Sequence, residues 1–161
     1  MSRRKLIFSN LNEAVEEVAS LQQSGYSSVG NWSLEQILDH LNKTMRMATD
    51  GPPFFYPAPI RPILRWLIYP KMKRGVQMSA GGPTPKALDP DDGKDLNELV
   101  NEFRELSARI MAADAKLAPV HPLMGKFTHE QWIVMQSWHA AHHLSFLVPS
   151  PPKLNSANDA G

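Results

Sequence analysis

His139 and His143 stand four residues apart in the stretch Trp138-His139-Ala140-Ala141-His142-His143, and a further histidine, His40, lies about a hundred residues upstream. If the later stretch is helical, the two share one face with Cβ atoms about 5–6 Å apart, close enough for both imidazoles to converge on one ion. Inward histidines can also be hydrogen-bonded core residues. Two of them one turn apart in apolar surroundings have few partners, however, and a divalent ion would satisfy both rings and fix their tautomers. The chain has no cysteine, so any metal must be held by nitrogen and oxygen ligands.

The elements that must position these rings can be read from periodicity, which gives four amphipathic helices and no convincing strand alternation. The first runs from about Asn10 to Gln23, with Leu11, Ala14, Val15, Val18 and Leu21 as its stripe, Asn10 and Glu13 as cap and partner, and Gly25 as its stop. Ser33 and Gln36 have capping-box spacing and open the second, which carries Leu34, Ile37, Leu38, Leu41, Met45 and Ala48 to the Asp50-Gly51-Pro52 stop. His40 falls on the flank of that stripe, beside Ile37 and Thr44. The third is expected from Asp95 to Leu117, with Leu96, Leu99, Val100, Phe103, Leu106, Ile110 and Leu117 in register. Thr128, with Gln131 three residues on, starts the fourth, which should continue to Pro149. Placed at about 100° per residue, His139 and His143 fall near the centre of its apolar face of Trp132, Met135, Phe146 and Leu147, Gln136 shares that face, and His142 falls toward its edge.

Other polar candidates are weaker. His121, before Pro122 in a loop, and His129, after the helix cap, read as exposed or capping residues. Asp114 would be an inward carboxylate on the third helix, and Asp39, Asp114 and Glu130 are the candidates for a general base, none of them compelling. The methionines read as core filler rather than ligands.

The connection from Asp50 to about Lys94 carries nine prolines, an unusual length inside one domain that points to a lid or crossover. In its middle, Ile63, Leu64, Trp66, Leu67, Ile68 and Tyr69, flanked by Arg61, Arg65, Lys71, Lys73 and Arg74, form an aromatic-rich patch. A short helix laid across the bundle is the favoured account, with Trp66 and Tyr69 shaping a pocket; a basic segment on a membrane surface is the alternative. Gly81-Gly82-Pro83 is a flexible turn lacking the Lys and Ser or Thr of a phosphate loop. There is no internal repeat and no catalytic-serine elbow.

With 161 residues the chain fits one domain, 1–161, with a core from about 9 to 148 and loose tails. Its 17 basic and 16 acidic residues leave a formal charge of +1, which offers no global field for nucleic acid. The apolar run after the basic N-terminus is too short for a secretory signal, and no run reaches membrane-spanning length. A cytoplasmic protein is expected.

Two blocks, Gly30-Asn31-Trp32-Ser33-Leu34-Glu35-Gln36-Ile37-Leu38-Asp39-His40-Leu41 and His121-Pro122-Leu123-Met124-Gly125-Lys126-Phe127-Thr128-His129-Glu130-Gln131-Trp132 leading into His139 to Leu147, resemble the DinB/YfiT-like superfamily, and within it an uncharacterised branch. The likeness runs from about Arg3 to Pro149. It implies an all-α four-helix bundle with a long crossover between helices two and three, and a metal held by one histidine of helix two and an H-x-x-x-H pair of helix four. On this chain those are His40, His139 and His143, in agreement with the spacing argument.

Such a site leaves the ion its full charge and open positions, favouring hydroxide or a thiolate as a further ligand. Activities in the superfamily include S-transfer and isomerisation with low-molecular-weight thiols, and some members are described as hydrolases. The resemblance therefore implies a metal-dependent enzyme acting on a small-molecule substrate with water or a thiol cosubstrate. A non-catalytic metal- or ligand-binding bundle of the stress response is the main alternative; a bundle whose histidines are only core residues is another. Imidazole suits zinc, nickel, iron and copper alike, and carboxylate or water ligands would admit manganese, so the ion is divalent, zinc or nickel ahead of iron or manganese. Exposed bundle faces are compatible with a homodimer.

Overall fold

Asn10, Ser33, Asp95 and Thr128 each hold the chain in extended backbone and turn a side-chain oxygen onto amides of the turn that follows. These amides have no partner inside a helix, so a side chain that accepts from them fixes where the helix begins. At Ser33 and Thr128 the return bond is present as well: Gln36 Oε1 accepts from the Ser33 amide and Gln131 Oε1 from the Thr128 amide, both at 3.0 Å. The resulting helices, in a computed structural model that describes residues 2–82 and 84–151, are α1 (Leu11–Ser24), α2 (Leu34–Thr49), α4 (Leu96–Met111) and α5 (His129–Leu144). A further helix, α3 (Arg61–Lys73), and a single 3-10 turn (Lys86–Leu88) lie in the connection between α2 and α4. Pro83 of the expected glycine-rich turn and the C-terminal tail beyond 151 lie outside the described residues.

The molecule is mostly helical. α2 packs along α4 and α1 along α5, while α2 also meets α5, the contact that matters for the histidines. Leu34, Ile37, Leu38 and Leu41 of α2 are buried with Phe103 and Ile110 of α4, Leu11, Val18 and Leu21 of α1, and Trp132 and Leu144 of α5. Each such side chain, fully withdrawn from water, contributes about 1.5–3 kcal/mol. No helix of the described residues is long and apolar enough to cross a membrane.

Two boundaries differ from the sequence expectation. The third expected helix ends at Met111, not Leu117: Ala112 is extended, and the chain leaves to bond its Ala118 amide to the Ala48 carbonyl at the end of α2. Leu117 still packs against the core, so an apolar stripe continued in sequence without the helix continuing. Asp114 consequently sits beyond the helix, exposed, and is no inward carboxylate. The last helix stops at Leu144 instead of running to Pro149, because residues 147–149 form strand β4 (Leu147–Pro149), antiparallel to β1 (Tyr26–Ser28). A second small pair, β2 (Val120–His121) and β3 (Gly125–Lys126), hairpins before α5. Strands of two or three residues are too short to show alternation, which is why none was expected.

On α3 only Met72 is fully buried, and the opposite face presents Ile63, Trp66 and Leu67 to solvent. Trp66 is 76 % exposed and does not line the cavity beside the histidines, and Tyr69 instead accepts a hydrogen bond from Gln131 Nε2 at 3.2 Å. The N-terminal segment before α1 belongs to no helix yet is held against the C-terminal end of α5. The Arg4 amide bonds the Ser145 carbonyl, and the Arg3 guanidinium reaches Ser145 Oγ, the Met78 carbonyl and His142.

Candidate metal centre

The buried seam of α5 is Trp132, Gln136, Ser137, Ala140, Ala141 and Leu144. His139 and His143 lie on the flank of that seam rather than at its centre, half-buried, with their rings toward a cleft. α2 brings the fully buried His40 to meet them, so the structure places the three histidines together. One ring nitrogen from each lies within 4.8 Å of the others. His139 Nε2 is 3.3 Å from His40 Nε2 and 3.0 Å from His143 Nε2.

The outer edges of the rings settle which nitrogens carry protons. His40 Nδ1 lies 2.7 Å from the Leu88 carbonyl, which can only accept, so Nδ1 is the N–H and Nε2 is a bare lone pair. His139 Nδ1 lies 3.4 Å from Thr44 Oγ1. The Leu41 carbonyl at 2.8 Å is the nearest acceptor for the Thr44 hydroxyl proton; with the proton there, Oγ1 accepts from Nδ1 and His139 Nε2 is bare as well. In that arrangement two lone pairs face each other at 3.3 Å, and His143 Nε2 lies 3.0 Å from one of them. Trp32 closes the cluster, its ring stacked on His143 at 5.3 Å and tilted against His40 at 5.1 Å.

Protonation does not relieve this contact. Burial pushes His139 and His143 well below the ordinary histidine pKa, and the neighbouring imidazoles push in the same direction. His40 is also lowered, by burial first, against the opposing bond to the Leu88 carbonyl. A cation does relieve it. With metal–nitrogen bonds of about 2.0–2.1 Å, tetrahedral ligands sit about 3.3–3.4 Å apart, and the two short separations here are 3.0 and 3.3 Å. The three histidines could hold a metal ion.

The cluster opens on a cavity of about 680 Å³. Ile37, Met47, Leu123, Met124 and Met135 give it apolar walls, and Ile68 with residues 78–82, 84, 85 and 88 of the long connection close one side. Among the described residues, no Asp, Glu, Lys or Arg lines it. None of the three carboxylates considered as a general base therefore reaches the space. Asp39 is buried and takes Lys94 Nζ at 2.6 Å and Lys43 Nζ at 3.0 Å, and Asp114 and Glu130 are exposed. Gln136 lines the cavity but spends its amide on the Thr44 carbonyl at 2.9 Å.

A model of one protein family matches residues 1–150. The chain belongs to that family, described as "Protein of unknown function (DUF1569)". Neither curated proteins nor solved structures give a match for this DUF1569 chain.

Sequence reasoning missed two polar residues here. His121, expected at the surface, is buried, because the β2–β3 hairpin folds it beneath Phe127 and Trp132, whose rings it meets at 4.8 and 5.1 Å. The aromatic residues that follow it in the sequence were the available signal. Arg3 was passed over as part of a basic N-terminus, and nothing local marks its bonds to residues 142 and 145. His142 matches its expected edge position, with Arg3 Nη2 at 2.8 Å from its Nδ1. His129 caps, as expected, though at the other helix: it bonds the Ile110 carbonyl at the end of α4 at 2.6 Å.

Proposed function

We propose that His40, His139 and His143 of this DUF1569 protein hold a divalent ion, zinc or nickel ahead of iron or manganese, and that the site is that of an enzyme acting with water or a low-molecular-weight thiol. The observation that carries this reading is the convergence of three ring nitrogens, with His139 Nε2 3.3 Å from His40 Nε2 and 3.0 Å from His143 Nε2, separations that ligands of one ion would have. A bound ion supplies Lewis acidity that lowers the pKa of a water or thiol ligand toward neutrality. The residues of the chain do the rest. Leu88 and Thr44 hold two rings in the tautomer that aims Nε2 inward, Trp32 covers the cluster, and the apolar walls exclude water from a substrate seated beside it. Because no carboxylate among the described residues lines the cavity, an S-transferase or hydrolase reaction here would rely on a nucleophile already deprotonated at neutral pH, not on a carboxylate base.

The fold supports placing the chain, as a single domain, among DinB/YfiT-like four-helix bundles: α1, α2, α4 and α5 are the bundle and the segment bearing α3 is its crossover. A homodimer would cover the exposed Ile63, Trp66 and Leu67 of α3, and the setting we propose is cytoplasmic. The absence of any carboxylate base in the cavity is also the observation favouring the second reading, a bundle that binds metal or a small ligand without turnover.

Metal analysis of protein purified without a histidine tag tests the site. About one ion per chain is expected, lost in His139→Ala and His143→Ala; a metal-free protein whose melting is unchanged by both substitutions would remove the site. A screen for thiol conjugation and ester hydrolysis, with metal restored and His40→Ala as control, separates enzyme from binder. Turnover that persists in the control excludes the ion from the chemistry.

A further inference from the structure

His121 is 2 % exposed and lies in the wall of the same cavity. Its Nδ1 accepts the Leu123 amide proton at 3.1 Å. An amide donates only to a lone pair, so Nδ1 is unprotonated and, in the neutral ring, the proton sits on Nε2. Among the described residues no acceptor meets Nε2. It is not among the polar atoms sealed without a partner in the interior of the described residues either, so it reaches the cavity. The ring cannot turn to hide it: Phe127 stacks on it at 4.8 Å and Trp132 lies against it at 5.1 Å. A ligand oxygen seated in the cavity could accept from this N–H, a bond with a net worth of about 0.5–1.5 kcal/mol.

The rest of the cavity specifies the ligand. Among the described residues its lining carries no Asp, Glu, Lys or Arg, and its surface is mainly apolar. An ionised ligand body would be desolvated there without a counter-charge, which is strongly unfavourable. Uncharged, mostly apolar molecules with one or two polar atoms suit a space of this size and character.

We infer that His121 is a ligand-binding residue of the cavity, offering a neutral Nε2–H to the carbonyl oxygen of an uncharged, largely apolar molecule such as an aliphatic amide, ester or ketone. Burial, with the Arg65 charge adding to it, lowers the His121 pKa to about 3, so the ring stays a neutral donor at physiological pH and attracts the oxygen by hydrogen bonding rather than by charge. The inference shares its cavity with the proposed metal site but does not need the ion, so the two can fail separately.

Octanamide is a suitable probe, titrated by calorimetry into the full chain in metal-free and zinc-loaded form. Binding is expected in both. His121→Phe keeps the aromatic stack and loses the donor, and should weaken binding about three- to tenfold, the range for one lost hydrogen bond. His121→Gln, which can accept from the Leu123 amide and still donate, should stay within about twofold of the wild type. The wild-type protein offers a readout independent of any substitution: with ¹⁵N-labelled histidine, His121 should show the Nε2–H tautomer, and its Nε2 resonance should move on addition of octanamide. Equal affinity of wild type and His121→Phe, an Nε2 resonance unmoved at saturation, or no octanamide binding at all would each overturn the assignment. If zinc fails to bind while the metal-free difference between His121→Phe and wild type remains, the metal reading falls and this one stands.

Discussion

The Leu88 carbonyl accepts the Nδ1 proton of His40 at 2.7 Å, so a 3-10 turn 48 residues away in sequence sets the tautomer of a buried ring on α2. That turn is itself tied down next door. Asp39, adjacent to His40, accepts the Asp91 amide at 2.8 Å on Oδ2 and Lys94 Nζ at 2.6 Å on Oδ1, anchoring the chain just past Leu88 to the same helix. Burial alone would raise the Asp39 pKa, but Lys94, the Asp91 amide and Lys43 together hold its carboxyl below the usual range.

Asp39→Asn should therefore act on a site it does not touch. Partners that orient a metal-binding histidine are commonly worth 10–100-fold in metal affinity, and a loss at the lower end of that range is expected on competitive chelator titration with zinc. The accompanying loss of stability, about 1–3 kcal/mol for weakened charge-assisted bonds, is measurable by urea unfolding. Unchanged zinc affinity would mean that the Leu88 carbonyl stays on His40 without the Asp39 anchor.

Metal should also stabilise the fold, because the three Nε2 atoms converge only in the native state. At a free ion concentration 100 times the dissociation constant the gain is about 2.7 kcal/mol, or about 5–10 °C in Tm for a chain of this size. Zinc or nickel added to metal-stripped protein should produce that shift by scanning calorimetry. His139→Ala and His143→Ala should melt at the same temperature with and without the ion.

Acid should destabilise the protein well before its carboxylates titrate. The unfolded chain protonates His121 near the ordinary histidine value of 6.5, whereas the folded ring stays neutral down to about 3. Between those limits the unfolded state binds the extra proton, so stability falls as pH falls, by up to about 1.4 kcal/mol per pH unit for this one group. Urea unfolding of metal-free protein from pH 7 to pH 4 should show this slope, and His121→Gln should reduce it by about one proton. An undiminished slope in that variant would place the acid sensitivity on other histidines.

The capped helix starts were legible in the sequence because capping is local: Ser33 with Gln36 and Thr128 with Gln131 meet within one turn, whatever the rest of the chain does. The meeting of His139 and His143 was legible for the same reason, as a spacing of one helical turn. Bringing His40 to them needed α2 to pack on α5, which periodicity permits without fixing. What escaped depends on distant partners. Met111 ends α4 because the Ala118 amide goes to Ala48, β4 exists because β1 pairs with it, and His121 is buried because Phe127 and Trp132 fold over it. Trp66 was misplaced for the complementary reason: an aromatic residue in an apolar patch reads as buried, but α3 turns that face outward.

Arg3 and His142 offer a test of how the N-terminal segment bears on the cavity. Arg3 Nη2 donates to His142 Nδ1 at 2.8 Å, Nε to Ser145 Oγ at 2.6 Å and Nη1 to the Met78 carbonyl at 2.9 Å, while the guanidinium lies 4.3 Å from the Phe146 ring centre. His142 thus has a cation beside a ring that burial already disfavours as imidazolium, and its pKa falls to about 4. Arg3→Ala removes the charge but not the burial, which is the larger cause. The His142 pKa, followed by NMR titration of its ring protons, should rise above about 4 in the variant and remain below 6.5. Met78 and His142 both line the cavity, so the same substitution should loosen its wall and speed amide exchange around Met78. A His142 titration that does not move in Arg3→Ala would show that the guanidinium is not held against the ring in solution.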